Sequence, residues 1–220
     1  MPLRFTGAGV SKAKKKGKQN YQPPTPPRWR GRDSLDLAYQ INHRFFGLMS
    51  DLAKSSNADA WPFITLDHKL WCKLDAEAMA RAARFPFLIL DVHFTSEKWW
   101  REVIDSRNAS AALNGWPASV SEQLMNEMLI FAWHTAKWDR GVARLSLGMS
   151  PVVTELMAAL TPQQLARVSA QHSGALRLRW QNDSEFWTRL LVAARDGDEE
   201  ALADIHLHAN LLLAGELIAG

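Results

Sequence analysis

The chain has 220 residues, a single cysteine and a formal net charge of +3, and 47% of it is apolar. That length predicts one or two domains, and the composition supplies enough apolar surface for a packed core. No apolar run approaches the roughly 18 residues that a membrane span needs, and the N-terminus lacks a signal-peptide pattern. One cysteine excludes an internal disulfide and a cysteine-rich zinc site, so the sequence favours the cytoplasm and no membrane.

Residues 1–33 differ in composition from the rest of the chain. They hold nine of the 26 Lys and Arg residues and one carboxylate, Asp33, which leaves 17 basic and 22 acidic residues in the body. A segment so rich in Lys, Pro and Gly is expected to be a disordered tail. Its cations are candidate phosphate contacts on DNA: Lys12, Lys14, Lys15, Lys16, Lys18, Arg28, Arg30 and Arg32.

Helical periodicity and capping signals dominate the body. Apolar residues three and four apart predict amphipathic helices over 33–54 and 121–139. Ser150-Pro151 and Thr161-Pro162 are helix starts, because a capping side chain precedes a proline at the first helical position.

A short strand and two helices are predicted after these elements. Residues 176–180 alternate apolar and polar, which is typical of a half-buried strand. Arg177 and Arg179 would lie on its polar side and are weaker candidates for DNA or partner contacts. Helices are expected over 184–194 and 198–216.

The same succession of elements occurs twice. A shift of 86 residues places Leu70 on Leu156, Leu74 on Leu160 and Leu90 on Leu176. We therefore expect a mainly α protein made of two tandem copies of a small helical unit, 34–118 and 119–220, each with one short strand. The strands would pair with each other or across a dimer, and the helix over 121–139 would serve both units.

The second unit resembles a known family. Arg144-Leu-Ser-Leu-Gly-Met149, Leu176-Arg-Leu-Arg-Trp180 and Asp204-Ile-His206 are similar to the FlhD family of bacterial transcriptional regulators. That family controls flagellar genes, and relatives activate transfer genes of conjugative elements. The resemblance covers about 119–218, and the first unit looks like a degenerate copy. The doubled body and the tail depart from the family's usual pattern.

The resemblance implies a function on DNA. The chain would be a transcriptional regulator, not an enzyme, that acts on promoter DNA in a homo- or hetero-oligomer with an FlhC-like subunit carrying zinc. Because this chain has one cysteine, it would not be the zinc-bearing subunit. The alternative is a protein-interaction adaptor, such as an assembly or secretion accessory, whose basic tail binds an acidic protein.

Polar and aromatic residues in the body give no sign of catalysis. His206 and His208 are two apart on a helix and would face different sides, so they are not expected to share a metal ion. Asp91 and His93 have no nucleophile elbow or glycine-rich loop beside them, and Cys72 is expected to be inert. No catalytic residue, cofactor or metal is predicted. Eight tryptophans are expected in the core: Trp61, Trp71, Trp99, Trp100, Trp133, Trp138, Trp180 and Trp187.

The last helix has more apolar surface than a single domain needs. Leu202, Ile205, Ala209 and Leu212 make one inward stripe. That leaves Leu207, Leu211 and Leu213 as a candidate partner interface. The alternative is that these three leucines pack on the first unit of the same chain.

Overall fold

A computed structural model describes residues 31–55, 67–106 and 118–219. Most of the predicted phosphate contacts, from Lys12 to Arg30, lie outside the described residues, as does Trp61. The helices are α1 Gly31–Lys54, α2 His68–Cys72, α3 Ala76–Ala82, α4 Glu97–Asp105, α5 Ala118–Trp138, α6 Arg140–Leu147, α7 Pro151–Ala159, α8 Pro162–His172, α9 Ser184–Asp196 and α10 Glu199–Ala219. The strands are β1 Leu90–Asp91 and β2 Arg177–Leu178. The mainly α fold class is confirmed.

Side chains cap the helices where the sequence predicts it. The Ser150 hydroxyl accepts a hydrogen bond from Val153 N at the start of α7. The Thr161 side chain accepts from Gln164 N, and the Gln164 side chain accepts from Thr161 N, so α8 begins with a complete capping box. Proline follows the cap in both helices, at a position where its missing N–H costs nothing.

The two strands form an antiparallel pair within the chain. Leu90 faces Leu178, and Asp91 faces Arg177. Arg179 N extends the ladder by donating to Ile89 O at 2.9 Å. One strand comes from each predicted unit, so the pairing of strand with strand within the chain is confirmed.

The two predicted units share one core. Phe46 of α1 stacks on Trp71 of α2, with ring centroids 5.8 Å apart, and also contacts Trp187 of α9. The Nε of Arg81 in α3 donates to Ala194 O in α9 at 2.7 Å. Helix α5 packs against α1 as well as against α6, α7 and α8. It therefore serves both parts of the chain, and neither part has a separate apolar core.

The turn that follows each strand has the same geometry. His93 and Trp180 both adopt the left-handed region, with φ of 50° and 51°. In each turn the carbonyl of that residue accepts a hydrogen bond of 2.8 Å from the N–H three positions later, at Ser96 and at Asp183. Those two residues then cap α4 and α9. The shared turn agrees with the expected repeat after a one-residue adjustment, because His93 and Trp180 are 87 rather than 86 positions apart.

The register of the strand pair agrees with it too. Asp91 and Arg177 are equivalent positions under the 86-residue shift, and they face each other. In an antiparallel pair, a residue that faces its own equivalent lies on a local two-fold axis. This axis relates the two strands and their turns, but it does not show that the two units arose by duplication. The duplication therefore stays a prediction.

Two positional predictions are wrong. Trp138 is 45% exposed, because it is the last residue of α5 and projects beyond the packed part of that helix. The alternation of the second strand stops at Leu178, since Arg179 is as buried as its apolar neighbour. Trp71, Trp100 and Trp187 lie in the core as expected.

Candidate functional site

The strand pair carries a cluster of four charged side chains, Asp91, Arg177, Arg179 and Glu216. Arg177 is half exposed and pairs with Asp91, with Nη2 2.6 Å from Oδ2. The Arg179 guanidinium lies 3.7 Å from the other Asp91 oxygen and pairs with Glu216 of α10. Two cations face two anions, so the cluster has no surplus positive charge with which to attract phosphate.

Arg179 is buried, contrary to its expected place on the polar side of the strand. Its Nε donates to Leu88 O at 2.9 Å, and its Nη2 donates to Leu147 O at 2.6 Å. The Arg179 side chain contacts the end of α6 at Leu147 and the last helix at Glu216. Those two carbonyls need donors there, because an unpaired buried carbonyl is costly. In this conformation the guanidinium is used inside the protein and does not reach a surface.

Asp91 is an acceptor in the cluster and not a proton carrier. Burial alone would raise its pKa, but Arg179 and Arg177 hold the pKa of this carboxyl below its usual range. Its oxygens also accept from the backbone N–H groups of His93 and Phe94, each at 3.2 Å. The carboxylate thus stays ionised, and it links both arginines to the turn after β1.

A glycine lets the last helix approach this cluster. Gly148 ends α6 with a φ of 62°. A Cβ at this position would lie 2.7 Å from Leu213 Cδ1 and 2.9 Å from Arg179 Nη2. Any larger residue would therefore force the Leu213 side chain and the Arg179 guanidinium to shift.

The structure exposes two of the three leucines predicted to form a partner interface and buries the third. Leu207 and Leu211 are exposed, at 61% and 65%, whereas Leu213 is buried at 4%. Leu213 packs inward beside Gly148 and, in place of the half-buried Leu212, belongs to the inward stripe with Leu202, Ile205 and Ala209. Its predicted place on the exposed surface is wrong, because the stripe continues from Ala209 by four residues to Leu213 rather than by three to Leu212.

Helix α10 is also long and apolar enough to cross a membrane, by length and composition alone. A helix at a protein surface with one buried stripe passes the same test. The inward stripe of α10 is packed on the protein, so this single helix is weak evidence for a span.

The histidines of α10 lie in separate surroundings. His206 packs edge-on against Phe85, with ring centroids 4.6 Å apart, while His208 lies near Phe186. Within 31–55, 67–106 and 118–219, no group of three or more His, Cys, Asp or Glu residues could hold a metal ion. Cys72 is half-buried, with its Sγ 3.6 Å from His68 Nε2.

The lowered pKa values of three histidines predict that the free energy of unfolding falls in mild acid. Burial lowers the pKa of His93, His172 and His206, and nearby arginines lower it further. The folded protein therefore binds fewer protons than the unfolded chain near pH 6.5, so this contribution to stability is present above that pH and is lost below it. Urea unfolding at pH 7.5 and 5.5 should give the lower free energy at pH 5.5. The variant His172→Gln should reduce the difference between the free energies of unfolding at the two pH values. An unchanged difference would show that His172 does not contribute to the loss of stability.

One comparison identifies the second part of the chain. Residues 122–219 match the family model described as the flagellar transcriptional activator FlhD. This part of the chain is an FlhD domain. It runs from the fifth residue of α5 to the end of α10 and contains β2, both strand arginines and Gly148. Comparisons with curated proteins and with solved structures give no match. The family is one of transcriptional regulators, so residues 122–219 carry a domain of that kind.

The FlhD domain is completed by residues that precede it. Strand β1 pairs with β2, and Leu88 O and Asp91 satisfy Arg179. Sequence reasoning found both arginines but missed Asp91 as their partner. The 86-residue shift carried that signal, since it already aligned Asp91 with Arg177. Nothing in the sequence marked Glu216 as the other partner.

Proposed function

We propose that this chain is a transcriptional activator that binds promoter DNA through its basic N-terminal tail. The match of residues 122–219 to the FlhD family carries the proposal. The tail is favoured over the strand arginines because Asp91 and Glu216 neutralise them. Arg177, which is half exposed, remains a candidate for an additional contact, whereas Arg179 positions the strand and the last helix.

The activator would work in a hetero-oligomer in the cytoplasm. Its partner would be an FlhC-like subunit that supplies a zinc site, since this chain has one cysteine. Its targets would be flagellar genes or the transfer genes of a conjugative element. The exposed leucines of α10, Leu207 and Leu211, are the candidate assembly surface.

Neutralising Lys14, Lys15 and Lys16 to Gln should weaken DNA binding about equally on every sequence. Phosphate contacts carry no sequence information, and the salt slope of the binding constant should fall by roughly 0.9 for every lysine that no longer neutralises a phosphate. Gel retardation over a salt series, alone and with the partner subunit, measures both quantities. The matched control neutralises three exposed lysines of the body, Lys54, Lys69 and Lys73, and should leave the slope unchanged.

The alternative of an adaptor predicts a different result. An adaptor would show no retardation of DNA by the full chain with or without a partner, and its tail would bind an acidic protein instead. A sequence-selective weakening in the triple lysine variant, with an unchanged salt slope, would also contradict phosphate binding by the tail.

A further inference from the structure

The large apolar side chains that the described residues expose fall into two sets. Four of them, Ile130 and Trp138 on α5, Leu145 on α6 and Val152 at the start of α7, belong to three helices that pack against one another; we call them the α5–α7 patch. Three more, Leu207, Leu211 and Ile218, form the outer face of α10, the α10 face. Only Leu35 belongs to neither set. Apolar residues grouped in this way mark interaction sites more often than scattered ones do.

The α10 face is apolar at one end and acidic at the other. Leu207, Leu211 and Ile218 are spaced by four and seven residues, so they lie along one side of the helix. Glu200 and Asp204 continue the same line toward the start of the helix, and both are exposed.

The negative charge of this face is open to a partner. The other two acids of the helix are paired, Glu199 with Arg84 and Glu216 with Arg179. No Lys or Arg follows Arg195 in the sequence, so α10 itself supplies no cation. The acidic end therefore keeps its charge, while the apolar end carries none.

The α5–α7 patch has the opposite charge. Lys137, Arg140 and Arg144 lie among its apolar residues, and all three are exposed. Arg140 pairs with Glu155 of α7, and the Asp139 carboxylate accepts from Val142 N at the start of α6. Asp139 keeps its negative charge, so Lys137, above the ring of Trp133, and Arg144 leave one net positive charge on the patch.

We propose that the α10 face of one copy of this chain docks on the α5–α7 patch of a second copy. Leucine and isoleucine side chains of one surface would cover Trp138 and Leu145 of the other. Glu200 and Asp204 would face Lys137 and Arg144. Complementary charge favours this arrangement over the pairing of two α10 faces in parallel, which would bring acid against acid. The inference rests on the proposed assembly role of α10, but not on DNA binding.

The contact is heterologous, because two different surfaces meet. Two copies that exchange both contacts form a closed dimer, while copies that exchange one contact at a time form a ring or a chain. Either result makes the apparent mass rise with protein concentration. Since charges face each other at the edge of an apolar contact, added salt should weaken the association.

Sedimentation of the full chain over a concentration series tests the proposal. Leu207→Glu with Leu211→Glu should raise the dissociation constant by at least about tenfold, because it places charge where apolar anchors are buried. The matched control Leu35→Glu changes an exposed leucine outside both surfaces and should have no effect. Circular dichroism should show that both variants keep their helices.

A charge exchange tests which surfaces meet. Asp204→Lys alone and Arg144→Glu alone should each weaken self-association, and an equimolar mixture of the two variants should recover it. Wild-type protein that stays monomeric at every concentration would overturn the proposal, as would association that neither variant weakens. If the wild type is monomeric but the double leucine variant loses promoter activation in cells, the assembly role of α10 stands with a different protein as partner.

Discussion

Arg179→Met is expected to lower the free energy of unfolding by about 3–5 kcal/mol, because one partner of a buried ion pair is removed. The substitution leaves Leu88 O and Leu147 O without their donor and Glu216 without its cation. Asp91 keeps Arg177 but loses its second cation. Urea unfolding followed by circular dichroism measures the change.

Substitutions of two other arginines show how much of this loss of stability comes from burial rather than from the charge alone. Arg189→Met removes an equal charge from an exposed site outside the proposed docking surfaces and should change the free energy of unfolding by less than about 0.5 kcal/mol. Arg177→Met should lie between the two, because its guanidinium is half exposed and makes one ion pair. If all three variants cost the same, Arg179 does not join the strands to the last helix.

Local chemistry made the helices predictable. Ser150-Pro151 and Thr161-Pro162 mark starts that depend on atoms within three residues of the cap, so the structure places α7 and α8 where the sequence does. The sequence also predicted that the last helix begins at Asp198. In the structure the Asp198 side chain caps this helix by accepting a hydrogen bond from Ala201 N. Signals of this kind need no knowledge of the rest of the fold.

Tertiary packing decided the positions that were wrong. Alternation along residues 176–180 indicates which side chains share a face, but not whether the polar face meets solvent. Arg179 is on that face and is covered by the end of α6 and by α10, whereas Arg177 on the same face stays half exposed. Likewise Leu212 and Leu213 are adjacent on a helix with leucines on every side, and only the approach at Gly148 selects Leu213 for the core.

The candidate DNA contacts and the assembly surface follow from different kinds of signal. The tail was recognisable from composition, because nine cations precede its single acid. The α10 face was visible as surplus leucines, but its acidic end became meaningful only when the structure showed Trp138 and Leu145 exposed among cations. The terminal helix would therefore hold copies together while the tail contacts DNA, so a variant can abolish one role and keep the other.

Gly148→Ala should destabilise the fold by about 2–4 kcal/mol, which combines a left-handed backbone with overpacking. The φ of 62° is unfavourable for any residue with a Cβ. That Cβ would also meet Leu213 Cδ1 at 2.7 Å and Arg179 Nη2 at 2.9 Å, so the cost falls on the contact between α10 and the charged cluster. Thermal and urea unfolding measure the total. Since the Arg179–Glu216 pair is weakened, Glu216→Gln should cost less in the Gly148→Ala background than in the wild type.

Substitutions of two other glycines distinguish the cost of backbone strain from the cost of overpacking. Gly197 has a φ of 72° but an open surrounding, with its nearest neighbour, Arg81 Cζ, at 3.9 Å, so Gly197→Ala should cost only the backbone strain, about 1 kcal/mol. Gly47 lies within α1 with nothing near its Cβ position, and Gly47→Ala should raise stability by about 0.5–1 kcal/mol. A destabilisation at Gly148 no greater than that at Gly197 would mean that the Leu213 and Arg179 side chains shift without cost. In that case the close approach of the last helix to Arg179 does not hold the cluster together.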